Sequence, residues 1–125
     1  MVRQICLDSD VIIAFLNKDE KAREVINLLD ANFYTTAINS FEVWFGRKHS
    51  ENIFELFSWL TPMPLTDKIA RSAADIQREL GNKGNLVSFR DLLIAAICIE
   101  NNLELLTYNL KDFERLEKHG LILIR

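Results

Sequence analysis

The sequence contains few of the residues that interrupt regular structure. It has four glycines and two prolines in 125 residues, and no stretch is repetitive, low in complexity or rich in proline, glycine or serine. Flexible linkers need such residues, so a chain of several loosely joined domains is excluded. Apolar residues make up 49% of the chain, which excludes a disordered protein. We therefore predict that residues 1–125 form a single domain.

Cysteine and histidine are equally scarce. Cys6 and Cys98 each lie in an apolar run, without a CxxC spacing and without a histidine cluster. This pattern is unfavourable for zinc, which typically takes four closely spaced Cys or His ligands. We expect both cysteines to be buried free thiols in a reducing compartment.

Long apolar runs are missing as well. The longest, residues 92–99, is far shorter than the ~20 residues that span a bilayer. The first residues also lack the layout of a signal peptide, so we expect a cytoplasmic protein without membrane association. The net charge of -3 argues against a module that binds nucleic acid by positive charge alone. A nuclease remains compatible, because catalytic acids lower the net charge.

Apolar residues follow two patterns along the chain. Short continuous runs predict buried strands, and apolar residues three or four positions apart predict helices. The predicted strands are 2–7, 33–36, 103–107 and 121–124, and the predicted helices are 11–16, one opened by Asp19 and Glu20, 37–46, 50–60, 66–80, 89–101 and 110–118. Alternation of apolar strands with helices predicts an α/β fold with three layers, in which helices cover both faces of a central, mainly parallel sheet.

Three carboxylates stand beside apolar segments. Asp8 follows the first predicted strand, Glu42 lies within residues 38–46, and Asp91 opens the most apolar helix. Each has a structural interpretation: a helix N-cap for Asp8, an outward position for Glu42, and a complement to the helix dipole for Asp91. Ligands in such folds bind beyond the carboxyl ends of the strands, where we expect these segments to meet.

Clustered carboxylates repel one another and are tolerated when a divalent cation lies among them. Their hard oxygens select Mg²⁺ or Mn²⁺ over zinc or copper. Such a site can activate water and stabilise the charge that develops on a phosphodiester. The three acids therefore predict metal-dependent hydrolysis of a phosphodiester.

Four segments resemble, in order, the motifs of PIN-domain proteins. Residues 7–13 (LDSDVII) resemble the opening LDTxxLI motif, and residues 36–46 (TAINSFEVWFG) resemble the second motif, whose glutamate falls on Glu42. DLLIAA at 91–96 resembles the DxLIAA motif, and LTYNLKDF at 106–113 resembles the closing TxDxxxF or TxNxxDF segment. The match covers the whole chain, whose length and single-domain build are similar to the VapC-like toxin branch.

The resemblance implies a PIN-like fold and an Mg²⁺- or Mn²⁺-dependent endoribonuclease. It also implies an RNA substrate, a homodimer, and inhibition by a small antitoxin protein. Asp8, Glu42 and Asp91 would be the catalytic and metal-binding acids.

The chain departs from the family at one position, because many members have a fourth acid where this chain has Asn109. Asn109, Asp10 and Asp112 are therefore candidates to complete the metal site, with Asp112 first interpreted as an acid at a helix start. Ser9 and Thr107 are candidates to orient the acids by hydrogen bonds, or else they satisfy nearby backbone groups.

Other residues suggest how RNA and a second subunit are bound. Arg47, Lys48 and Arg90 flank the acidic segments and are candidates to contact RNA phosphates, although a solvated charged face is the alternative. The homodimer is predicted to use the apolar side chains of the helix at 50–60, with core packing as the alternative. The predicted interface residues are Ile53, Phe54, Phe57 and Trp59.

Two further interpretations belong to other classes. A catalytically weak or inactive PIN domain that binds RNA or protein is kept open by Asn109. A phosphoacceptor receiver domain would need a lysine at the end of its last strand, and here that strand is followed by Arg125. We therefore reject the receiver.

Overall fold

A five-stranded sheet organises the chain. The computed structural model describes residues 2–46, 51–84 and 86–125. Within these ranges the strands are β1 (Arg3–Leu7), β2 (Ala31–Thr36), β3 (Thr61–Met63), β4 (Glu104–Leu106) and β5 (Ile122–Leu123). Their order is β3-β2-β1-β4-β5 and every neighbouring pair is parallel, so the predicted parallel α/β fold is confirmed.

Helices connect these strands. In the described ranges they are α1 (Ser9–Leu16), α2 (Glu20–Leu28), α3 (Ala37–Gly46), α4 (Glu51–Trp59), α5 (Asp67–Asn82), α6 (Phe89–Glu100) and α7 (Leu110–Phe113), which continues into a 3₁₀ helix at Glu114–His119. Side chains of Asp8, Asp19, Thr66 and Ser88 accept backbone N–H groups at four helix starts. Such N-caps explain why these helices begin where the sequence predicts. None of the helices described is long and apolar enough to cross a membrane.

The sheet separates two apolar cores. Ile5 and Leu7 of β1 point to one face and pack with buried residues of α1, α3 and α4, whereas Cys6 points to the other and packs with α5 and α6. This alternation is the normal two-residue period of a strand. Seven consecutive residues of α6, from Leu92 to Cys98, are buried, as expected for its apolar sequence. Helices therefore cover both faces, which makes the three predicted layers.

Two elements differ from the prediction. β3 was not expected, because Pro62 and Pro64 indicate a break. It lies at the edge of the sheet and pairs with β2 alone, and an edge strand tolerates proline. The predicted helix 110–118 is α for only four residues before it tightens into the 3₁₀ helix. That helix ends at Gly120, whose φ of 108° favours glycine.

Both cysteines are free and fully buried, as predicted. The hydrogen bond with Cys98, together with burial, raises the pKa of the Cys6 thiol well above its usual value. Cys6 is therefore held as a neutral thiol in the core.

The predicted dimer residues do not share one environment. Ile53 is fully buried in the core and is wrong as an interface residue. Phe57 is partly buried and packs against the same core. Phe54 and Trp59 are 60% and 37% exposed. Core packing thus accounts for Ile53 and Phe57, and only the other two present an apolar surface.

Candidate active site

The predicted acids are positioned by the carboxyl ends of three parallel strands. Asp8 directly follows β1, Thr36 ends β2, and Thr107 directly follows β4. Since β1 lies between β2 and β4, these ends are neighbours at the same edge of the sheet. The segments that carry the predicted acids therefore meet beyond this edge of the sheet.

Asp8 is the most deeply placed of the acids, with 0% of its surface exposed. Its Oδ1 accepts from the Ser9 backbone N–H at 2.8 Å, from Asn39 Nδ2 at 2.9 Å and from Arg90 Nη2 at 2.9 Å. Its Oδ2 accepts from Thr107 Oγ1 at 2.7 Å. Burial of a carboxylate is costly unless it is paired and hydrogen-bonded, and these donors supply both conditions.

Glu42 is joined to Asp8 through a short relay. Asn39 Nδ2 donates to Ser9 Oγ at 2.8 Å, and Ser9 Oγ donates to Glu42 Oε1 at 2.5 Å. Asn39 and Glu42 are three residues apart in α3 and therefore lie on one face of that helix. Burial alone would raise the pKa of Glu42, but hydrogen bonds from Arg90 and Ser9 outweigh it and hold the pKa below its usual value.

Arg90 contacts all three predicted catalytic acids. It donates from Nε to Glu42 Oε2 at 2.6 Å and from Nη2 to Glu42 Oε1 at 2.9 Å. Nη2 also donates to Asp8 Oδ1 at 2.9 Å, and Nη1 donates to Asp91 Oδ1 at 2.7 Å. Hydrogen bonds to Glu42 and the charges of Glu42 and Asp8 raise the Arg90 pKa despite burial. We call Asp8, Glu42, Asp91 and Arg90 the Arg90 cluster.

Asp10 and Asn109 form a second polar group beside this cluster. Asn109 Nδ2 donates to Asp10 Oδ2 at 3.2 Å, and the Tyr108 backbone N–H donates to the same oxygen at 3.1 Å. Burial, followed by the charge of Asp8, raises the pKa of Asp10. Thr107 links the two groups, because its Oγ1 accepts from the Asn109 backbone N–H at 3.1 Å and donates to Asp8.

Asp112 lies apart from both groups. Its side chain is exposed in the first turn of α7, and its backbone N–H donates to the Asn109 carbonyl at 3.0 Å. In the described ranges, no hydrogen bond or ion pair connects the Asp112 carboxylate to the Arg90 cluster. Its position is that of an acid at a helix start.

Of the three basic residues predicted to contact RNA phosphates, only Arg90 lies within the described residues. Arg47 and Lys48 lie outside the described residues. Arg90 is turned toward the acids, so its interpretation as part of a solvated charged face is wrong.

The donor set suits a hard divalent cation in chemistry, because it consists of carboxylate oxygens. The arrangement of these carboxylates, in contrast, does not surround one common point. Asp8, Glu42 and Asp91 are arranged around a guanidinium group, and among the described residues no three Asp, Glu, His or Cys side chains are placed to share one metal ion. The acids thus fit the ion by type, and in this arrangement the arginine bridges them.

Sequence reasoning missed Thr36 and Asn39. Thr36 Oγ1 donates to Asn39 Oδ1 at 2.7 Å, and both residues are fully buried. The available signal was an asparagine inside an apolar helix, where such a residue needs a partner. A signal for Arg90 was also present, because a cation in the first turn of α6 is disfavoured by the helix dipole unless acids hold it there.

Comparisons with known proteins agree along the whole chain. The profile of the PIN domain family matches residues 5–119. Ribonuclease VapC10 of Mycobacterium tuberculosis is 30% identical over 118 residues, which cover 91% of this chain and 89% of that protein. Ribonuclease VapC1 of Methanocaldococcus jannaschii is 30% identical over 122 residues, which cover 94% and 85%.

Solved structures with the same fold come from two-protein systems. The chain is similar to a chain in the structure of VapBC2 from Rickettsia felis bound to a DNA fragment from the promoter. The TM-score is 0.83, the identity is 25%, and 97% of both chains is covered. It is also similar to one in DNA-bound VapBC from Salmonella typhimurium, with a TM-score of 0.81, 26% identity and coverage of 99% and 98%.

Proposed function

Because this chain belongs to the PIN domain family, we propose that it is an endoribonuclease of the toxin class that hydrolyses phosphodiester bonds in RNA. The observation that carries this proposal is the convergence of Asp8, Glu42 and Asp91 on one guanidinium group at the carboxyl edge of the sheet. The acids come from segments after β1, in α3 and in α6. The names of the relatives, which are ribonucleases, support RNA as the substrate.

The chain's own residues give this site rigidity. Asp8 is held by donors from Ser9, Asn39, Arg90 and Thr107, so its carboxylate has one orientation. Glu42 is held by Ser9 and Arg90, and it lies closer to solvent than Asp8. The donors from Ser9, Asn39 and Thr107 hold these acids independently of Arg90, which favours catalysis by preorganised charge.

We propose Asp8, Glu42 and Asp91 as the residues that would hold Mg²⁺ or Mn²⁺. When bound, such an ion supplies an activated water and offsets negative charge on the scissile phosphate. The side chains of Glu42 and Asp91 are 31% and 13% exposed, so they are more open to solvent than Asp8, which is fully buried. Asp10 and Asn109 are further ligand candidates through the second polar group.

We further propose that the chain acts with a small antitoxin protein and forms a homodimer. Two of the similar solved structures are of VapBC systems, and a third is described as a toxin–antitoxin complex from Klebsiella pneumoniae. For the homodimer, Phe54 and Trp59 of α4 are the predicted interface residues that remain exposed. A strictly monomeric mass at micromolar concentration in solution would contradict the dimer.

Ribonuclease activity is tested by incubating the purified chain with total RNA in Mg²⁺, Mn²⁺ or EDTA. We expect discrete cleavage products with either ion and none with EDTA. The matched control is Asp112→Asn, because Asp112 is an exposed acid on a neighbouring element and carries the same charge change as Asp91→Asn. We expect Asp91→Asn to remove cleavage and Asp112→Asn to retain it.

The alternative function predicts another result. A folded chain that binds RNA in a mobility-shift assay, but gives no products with either ion, would be a binding module and would contradict the ribonuclease. Cleavage that survives EDTA would retain the ribonuclease and contradict the metal requirement.

A further inference from the structure

Arg90 satisfies the predicted metal-binding acids with a cation that belongs to the chain itself. All three nitrogens of its guanidinium donate, and together they contact Asp8, Glu42 and Asp91 at 2.6–2.9 Å. The contact with Glu42 is bidentate, which is the geometry that makes arginine–carboxylate pairs strong and directional. A lysine could not reproduce it, because its ammonium group is a single point charge.

The position of Arg90 in the fold shows that the acids hold it there. Arg90 is the second residue of α6, at the positive end of the helix dipole. A cation is disfavoured at that end, so the carboxylates must outweigh the dipole. The Arg90 side chain is still 34% exposed, and a long side chain at the rim can therefore turn toward solvent.

The guanidinium and a divalent ion require different arrangements of the same oxygens. A Mg²⁺ ion takes oxygens at about 2.0–2.1 Å around one centre. With Arg90 in place, the acids lie around a planar group, and no three acidic, His or Cys side chains of the described residues surround a common point. Glu42 Oε1 and Oε2 and one oxygen each of Asp8 and Asp91 already accept from Arg90.

From these observations we propose that Arg90 is an internal counter-ion that occupies the acid cluster without metal and must leave it before a divalent ion binds. This inference rests on the proposed metal-dependent function. Arg90 acts through Asp8, Glu42 and Asp91 and is a positioning residue. After leaving, its guanidinium lies at the rim of the site, where it is available to an RNA phosphate.

The consequence is a reduced apparent metal affinity. When only a fraction of molecules is competent to bind, the apparent Kd rises by the reciprocal of that fraction. If Arg90 occupies the cluster in nine molecules out of ten, the apparent affinity for metal falls roughly tenfold. Removing the guanidinium should recover that factor.

The test measures Mn²⁺ binding directly, by the electron paramagnetic resonance signal of free Mn²⁺ and by the metal dependence of the melting temperature. The full chain is compared with Arg90→Ala, Arg90→Lys and the control Arg71→Ala. Arg71 is an exposed arginine of α5 that pairs only with Asp67 among the ion pairs described. We expect Arg90→Ala to bind Mn²⁺ roughly tenfold more tightly than the wild type, and Arg71→Ala to bind like the wild type.

Arg90→Lys separates displacement from simple charge repulsion. It keeps the positive charge and loses the bridge, so we expect an affinity between those of the wild type and Arg90→Ala. An affinity equal to that of the wild type would mean that charge alone weakens metal binding, and would overturn the proposal. So would equal or weaker Mn²⁺ binding by a folded Arg90→Ala variant.

Free guanidinium provides a second measurement, in which competition with Mn²⁺ is compared between Arg90→Ala and the wild type. Millimolar guanidinium chloride should compete with Mn²⁺ in Arg90→Ala and have no effect on the wild type beyond that of equal NaCl. This experiment measures Mn²⁺ binding and needs no activity assay. No competition in a folded Arg90→Ala variant would count against the proposal. If neither protein binds Mn²⁺ at any concentration, the metal-dependent function fails together with the inference. Binding that is equal in both overturns the inference and leaves the function standing.

Discussion

The two polar groups at the carboxyl edge of the sheet contain similar residues and are built differently. The Arg90 cluster joins Asp8, Glu42 and Asp91 through a guanidinium. In the neighbouring group, Asp10 accepts only from backbone N–H groups and the amide of Asn109 among its described hydrogen bonds. This second group lies beside Asp8, the buried member of the Arg90 cluster, to which Thr107 connects it.

The pKa shifts of the acids have opposite directions in the two groups. The pKa of Glu42 is lowered, because hydrogen bonds from Arg90 and Ser9 outweigh burial. The pKa of Asp10 is raised, because burial and the charge of Asp8 outweigh its hydrogen bonds. Hydrogen bonds from a cation thus favour the ionised form of Glu42, whereas burial beside a like charge disfavours that of Asp10. The comparison indicates that the Arg90 cluster is arranged around a cation, whereas the Asp10–Asn109 group is held by neutral donors.

The largest effect is expected from Asp8→Asn. The amide cannot accept from all of the donors that hold the carboxylate, so a buried hydrogen-bonding network is left incomplete. We expect the free energy of unfolding to fall by roughly 2–3 kcal/mol, typical of lost hydrogen bonds to a charged group. RNA cleavage should fall at least about a hundredfold, as expected when a charge that positions the reaction is removed. Urea unfolding and initial cleavage rates measure the two effects.

Asp10→Asn is the matched control for Asp8→Asn. Asp10 forms no ion pair among those described, and we expect its replacement to lower the free energy of unfolding by less than about 1 kcal/mol. If the two variants lose equal stability, the distinction between the two groups is wrong.

A smaller effect is expected from Thr107→Val, which tests the link between the groups. The change removes the hydroxyl that donates to Asp8 Oδ2 and accepts from the Asn109 N–H. Valine has a similar shape, so the expected loss of about 1–2 kcal/mol reports the hydrogen bonds. Thermal unfolding measures it, and Thr66→Val serves as a contrast because that hydroxyl caps α5 and makes no described hydrogen bond to the acids. A Thr107→Val variant as stable and active as the wild type would show that the link is dispensable.

Asn109→Asp would convert the second group toward the acidic character of the first. It places a carboxylate where the amide now contacts Asp10 at 3.2 Å, so like charges should destabilise the metal-free chain by about 1 kcal/mol. A divalent ion should relieve this repulsion and lower the metal concentration needed for half-maximal cleavage. Metal titrations of cleavage and of melting temperature measure both effects. An unchanged titration would argue that Asn109 is not beside a metal.

The smallest effect is expected from Asp112→Asn. Its exposed carboxylate lies in the first turn of α7, where an acid contributes a few tenths of a kcal/mol through the helix dipole. We expect changes within about 0.5 kcal/mol and an unaltered metal titration. Loss of cleavage in this variant, combined with no effect of Asn109→Asp, would instead identify Asp112 as the fourth ligand.

The sequence predicts the fold because local signals and the global architecture agree. Continuous apolar runs mark β1 and β4, and N-caps such as Asp19 and Thr66 mark helix starts. β3 could not be predicted, because three residues with a central proline carry no strand signal, and only the neighbouring β2 makes them a strand. Its existence is decided by tertiary pairing.

In the candidate site, too, some features are predicted by the sequence and others are decided by tertiary contacts. The positions of Asp8, Glu42 and Asp91 beside apolar segments are visible in the sequence, and the parallel topology explains why they meet. The direction in which Arg90 points is not visible in the sequence, because a long side chain near several acids can face them or the solvent. Only the distances between α3, α6 and the end of β1 decide that the guanidinium reaches all three acids.

The central place of β1 has a consequence for the synthesis of the protein. β1 is the first strand to leave the ribosome, yet its register pairs Cys6 with Leu105 of β4. A nascent chain that has reached only residue 100 already contains Asp8, Glu42 and Asp91. It still lacks β4 and the Thr107 hydroxyl that holds Asp8. Because domains fold as units and this pairing is non-local, we expect truncated translation products to lack a complete site. The candidate site is thus complete only after β4 and Thr107 have been translated.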